Sequence, residues 1–78
     1  MKIQILGPGC AKCKQLAETA AQAADELGIA YELEKISDLD KIMSFGVMMT
    51  PGLVINGEVK SVGKVPALAD IESMLKES

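Results

Sequence analysis

The spacing of apolar residues changes period repeatedly along the chain, and each change marks a predicted element. Ile3, Ile5 and Leu6, with Gln4 the polar exception, predict a short first strand. Gly7-Pro8-Gly9 breaks it. From Ala11 to Leu27, apolar positions recur at Cys13, Leu16, Ala17, Ala20, Ala23, Ala24 and Leu27, the single stripe of an amphipathic helix. Lys12, Lys14, Gln15, Glu18, Gln22 and Asp25 take its other side. Gly28 suits the left-handed position that closes such a helix.

Residues 31–36 begin by alternating, Tyr31 and Leu33 against Glu32 and Glu34, as a half-buried edge strand does. Ser37 and Asp40 resemble a capping box that opens a short helix through Phe45, with Gly46 ending it. Gly52-Leu53-Val54-Ile55 is an uninterrupted apolar run and predicts a central strand. Asn56-Gly57 is a strong hairpin signal, because both positions tolerate positive φ. The more polar 58–62 is the returning edge strand. Pro66 fits the first turn of a last helix reaching about Lys76, with Leu68, Ile71, Met74 and Leu75 turned inward.

The predicted order is βαβαββα. A right-handed crossover makes the first two strands parallel, and the hairpin makes the last two antiparallel. The expected architecture is α/β, a four-stranded mixed sheet flanked by three helices, in one domain over 1–78.

Composition narrows the function. An apolar fraction of 49% suffices for one core, and a charged fraction of 24% argues against disorder. Tyr31 and Phe45 are the sole aromatics, too few for a base-stacking surface. The formal charge is −3 and every basic residue is Lys, so bidentate phosphate recognition has no residue to perform it; no nucleic-acid partner is expected. No apolar run approaches the roughly 20 residues that span a bilayer, and residues 1–6 are too short for a signal-peptide core. The expectation is a cytoplasmic protein with no membrane partner, and a monomer.

In a reducing compartment, two cysteines three apart point to redox or metal chemistry rather than a structural staple. Cys10 and Cys13 fall where the first strand hands over to the first helix. Their spacing puts both sulfurs on one side of the helix, within bridging reach. A sulfur at the cap faces unsatisfied backbone N–H groups and the positive end of the helix dipole, which favour the thiolate. That thiolate is the attacking species in disulfide exchange. Cys13, one turn further in, suits the resolving role. Burial on the apolar stripe explains Cys13 without chemistry, but it does not explain Cys10 in a Gly-Pro-Gly break. A zinc site needs four ligands, whereas the chain has two thiols and no histidine, so no metal or other cofactor is expected.

The run Ile5-Leu6-Gly7-Pro8-Gly9-Cys10-Ala11-Lys12-Cys13, followed by Gly46-Val47-Met48-Met49-Thr50-Pro51 and the hairpin, resembles the small thioredoxin- and glutaredoxin-like redox disulfide proteins of prokaryotes. The likeness covers essentially the whole chain. It implies a minimal thioredoxin fold, Cys10 as nucleophile, Cys13 as resolving thiol, and a Cys10–Cys13 disulfide as the oxidised form. It also implies that Pro51 is the family's cis-proline, with Thr50 offering its backbone to an extended substrate. X-Pro bonds are cis in roughly 5–6% of cases, so the cis assignment comes from the resemblance and not from the dipeptide. The partners implied are a disulfide-containing protein substrate and an upstream thiol reductase.

Departures from the better-known relatives matter. No Trp precedes Cys10, and the glutathione-binding double glycine is reduced to Gly63-Lys64, which counts against glutathione use. Lys64 itself reads as a solvated turn residue. Met48 and Met49 suit an adaptable apolar lip for partner peptides, with Met49 the closer to Thr50, although methionine's frequent burial favours core packing for at least one of them. The alternative function is a copper(I) carrier, since soft thiolates between a first strand and helix suit that ion. Against it, Pro8-Gly9 replaces the usual Met-Thr before the first cysteine, and the last element has helical rather than strand period.

Overall fold

The alternating and helical patterns resolve into β1 (Lys2–Leu6), α1 (Ala11–Leu27), β2 (Glu32–Ile36), α2 (Leu39–Ser44), β3 (Gly52–Ile55), β4 (Glu58–Val62) and α3 (Leu68–Lys76). This is a computed structural model, and it describes residues 1–7 and 11–77. The sheet runs β2-β1-β3-β4. β1 is parallel to β2, with Ile5 opposite Lys35, and antiparallel to β3, with Ile5 opposite Leu53. The expected mixed sheet is present, with the apolar run of β3 buried along its whole length at the centre.

Local sequence accounts for most element ends. α1 closes on Gly28 at φ 68°, whose N–H donates to the Asp25 carbonyl at 3.1 Å while Ile29 N–H donates to Ala24 at 3.0 Å. That is the paired hydrogen-bond pattern of a left-handed helix stop. Asn56 and Gly57 both take positive φ, as a two-residue hairpin matching strand twist requires. β4 carries a bulge: Leu53 pairs with Ser61 and Val54 with Val59, leaving Lys60 as the extra residue.

Two predicted helix starts are corrected. The cap of α2 is Asp38, not Ser37; its carboxylate accepts from the Asp40 N–H at 2.9 Å. With Leu39 as the first helical residue, Asp38 is the side chain placed to reach a second-position amide. α3 begins at Leu68, leaving Pro66 outside it. Pro66 is buried and Val65 packs against the core, so packing of this turn overrides the preference of proline for a first helical position.

The core lies in two layers. Ile3, Ile5, Leu53 and Ile55 meet Leu16, Ala17, Ala20, Ala23 and Ala24 of α1 and Ile71 and Leu75 of α3 on one face of the sheet. On the other, Leu6, Ile36 and Val54 meet Ile42 of α2 and Val47. Leu6 breaks the alternation of β1 because it belongs to this second layer.

Candidate active site

The C-terminal end of β1, the head of α1 and the loop before β3 converge at one edge of the molecule. Cys10, the expected nucleophile, lies outside the described residues. α1 begins at the next residue, Ala11; no acidic side chain stands in its first turn, and Lys12 and Lys14 are exposed there. Charge near this helix start is therefore positive, the sign that favours an anion beside it.

Cys13 is buried, with 5% of its surface accessible, as its place on the apolar stripe predicts. It packs directly over Gly7. A Cβ added to Gly7 would overlap Cys13 Sγ, and would lie 3.3 Å from Cys13 Cβ and 3.8 Å from Thr50 Cβ. Glycine is required here for close approach, because any side chain would push the sulfur away. Gly7 is thus the floor on which Cys13 and Thr50 come together.

The Thr50–Pro51 peptide bond is cis. Thr50 is half-buried and Pro51 buried. Two contacts hold the loop: the Gly63 N–H donates to the Pro51 carbonyl at 2.8 Å, and Gly52 packs so tightly that a Cβ there would sit 3.3 Å from Leu6 and 3.4 Å from Val47. Pro51 has no N–H, so it presents no donor of its own.

The expected core packing of Met48 or Met49 is corrected: they are 86% and 65% exposed. The neighbouring positions explain it. Val47 and Pro51 fill the interior on either side of the loop, so the two residues between Val47 and Thr50 are left at the surface. Met49 lies across Gly63, whose Cβ position is 3.2 Å from Met49 Cε and 3.5 Å from Met49 Cβ. Lys64 is exposed, as a turn lysine should be.

Of the expected site residues, Cys13, Thr50, Pro51 and Met49 therefore gather around Gly7 and Gly63. Gly7 and Val47 were not foreseen as part of this arrangement. A glycine directly after a strand was the signal for the first, and the second lies in the 46–51 run that carries the family resemblance. Among the described residues no group of three or more His, Cys, Asp or Glu is arranged to hold a metal, and no helix is long and apolar enough to cross a membrane.

Residues 1–76 match the family model described as "Thioredoxin domain". A Methanothermobacter thermautotrophicus protein named "Thioredoxin" is 45% identical over 75 residues, covering 96% of this chain and 97% of its own. A second with that name, from Methanocaldococcus jannaschii, is 38% identical over 74 residues, covering 95% and 85%. Another from the same organism is 31% identical over 80 residues, covering 97% and 94%.

Proposed function

The chain belongs to the thioredoxin domain family, and on that premise we propose that Cys10 and Cys13 are the redox couple with which it reduces disulfides in partner proteins. It is a thiol–disulfide oxidoreductase. The observation that carries the residue assignment is Cys13 packed on Gly7 beside Thr50, one turn into the helix that follows Cys10.

The Cys10 thiolate attacks one sulfur of the partner disulfide. A Cys10–partner disulfide forms, and the other partner sulfur leaves as a thiolate that takes up a proton. Cys13 then loses its proton and attacks the Cys10 sulfur, forming the Cys10–Cys13 disulfide and releasing the second partner thiol. Two electrons have passed to the partner. An upstream dithiol reductase returns them by the same exchange, so no cofactor beyond the cysteine pair is needed. Thr50, which meets Cys13 over Gly7, and its neighbours Met49 and Pro51 contact the substrate segment. Burial of Cys13 keeps it from outside disulfides until the first exchange has brought one to Cys10.

A reducing, cytoplasmic setting suits this direction of flow. Glutathione is a poor fit, because Met49 covers Gly63 and the Gly63-Lys64 turn lacks the second glycine. The copper(I)-carrier alternative is not supported: β4 is followed by the helix α3 rather than a strand, and relatives matching nearly all of this chain are named thioredoxins.

Cys10→Ser is expected to abolish reduction of a protein disulfide such as insulin, and Cys13→Ser to accumulate a mixed disulfide visible on a non-reducing gel. Parent-rate reduction by Cys10→Ser would overturn the assignment.

A further inference from the structure

The chain has five methionines, and the fold sorts them into two groups. Met1 and Met74 pack against the core under α1 and α3. Met43, Met48 and Met49 are 60%, 86% and 65% exposed, although methionine is among the residues most often buried. The three exposed ones also lie together. Met43 and Met48 line one open hollow with Thr50, and Met49, next to Thr50 in the chain, lies across Gly63. A thioether sulfur is oxidised by peroxide to a polar sulfoxide, and solvent access favours the exposed sulfurs over the packed ones.

We propose that Met43, Met48 and Met49 form a peroxide-sensitive modification site, and that their conversion to methionine sulfoxide slows reduction of protein disulfides; the effect on rate rests on the redox reading above. Each thioether sulfur attacks one oxygen of hydrogen peroxide. An S–O bond forms, the O–O bond breaks, and the other oxygen leaves as water. The sulfur is oxidised by two electrons and the peroxide reduced by two. A closed Cys10–Cys13 disulfide has no thiolate to compete for the peroxide, so the exposed thioethers take it.

The contact at Gly63 determines what the added oxygen does. Met49 Sδ lies 3.7 Å from the position a Cβ would take on Gly63. The Gly63 N–H already donates to the Pro51 carbonyl at 2.8 Å, and glycine has no side chain to offer a second donor. A sulfoxide oxygen held there would go unsatisfied by Gly63, so the oxidised side chain turns to water and uncovers the turn. The segment before Thr50 then presents polar groups where it presented apolar ones. A protein substrate loses that contact, whereas a disulfide too small to reach past the cysteines loses nothing.

Treating the disulfide form with hydrogen peroxide and then reducing it with dithiothreitol restores the thiols and leaves the sulfoxides in place. Peptide mass spectrometry is expected to find one added oxygen on Met43, Met48 and Met49 before any on Met1 or Met74. The treated protein is expected to reduce insulin about 10-fold more slowly in kcat/KM, with hydroxyethyl disulfide within about 2-fold of the untreated rate. In Met43→Leu/Met48→Leu/Met49→Leu, treatment is expected to change the insulin rate by less than about 2-fold, because leucine keeps the apolar bulk without the sulfur. Oxygen appearing first on Met1 or Met74 overturns the site. An insulin rate that treatment leaves unchanged, an equal loss on hydroxyethyl disulfide, or a loss that persists in the triple variant overturns the effect on rate. Untreated protein that reduces neither substrate overturns the redox reading and the effect on rate together.

Discussion

The two faces of the sheet carry different amounts of protein. Over one lie α1 and α3, with Leu16, Ala17, Ala20, Ala23, Ala24, Ile71 and Leu75 buried against Ile3, Ile5, Leu53 and Ile55. Under the other lies the six-residue α2, which buries a single residue, Ile42, while Leu39 and Met43 stay exposed. The thick face holds the fold together. On the thin face apolar side chains remain unburied, and they stand next to the loop that borders Cys13. Buried and exposed apolar surface are thus divided between the faces, and Cys13 sits at their common end.

Breaking the thick face should produce the largest change. Leu16 is fully buried, and Leu16→Ala is expected to lower the unfolding free energy by about 3 kcal/mol in a urea titration. A loss below about 1 kcal/mol would mean that α1 is not the main anchor of the core. At the shared end, Gly7→Ala places a methyl group on Cys13 Sγ. An expected destabilisation of about 2 kcal/mol should come with slower closure of the Cys10–Cys13 disulfide, measured by thiol trapping.

Ser61, on β4, is a buried polar residue. It pairs with Leu53, and its buried hydroxyl has no hydrogen-bond partner among the described residues. Ser61→Ala removes the orphaned group and should stabilise the protein by about 1 kcal/mol in the same titration. The smallest effect on stability belongs to the thin face. Met48→Ser should change it by less than about 0.5 kcal/mol, since the side chain is almost wholly solvated. Any cost should appear instead as slower reduction of apolar protein substrates.

Elements whose ends depend on near neighbours were legible from the chain. The Gly28 stop and the Asn56-Gly57 turn formed where the residues indicated, because positive φ is a local demand that few residues meet. The cap at Asp38 and the helix start at Leu68 were not legible to the residue. Several polar side chains competed to cap the first, and packing around Pro66 decided the second. Met48 and Met49 show the same limit: apolar character argued for burial, but Val47 and Pro51 already occupied the interior on either side.

By itself the sequence determined the strand and helix order, the mixed pairing and the cysteine spacing at the head of α1, since periodicity and turn chemistry act over a few residues. The tertiary structure alone decided that Gly7 lies under Cys13, that Thr50 joins them from a distant part of the chain, and that Met49 crosses Gly63. Those contacts connect segments with no local relation. They are set by how β1, β3 and α1 pack, which no single stretch of the chain encodes.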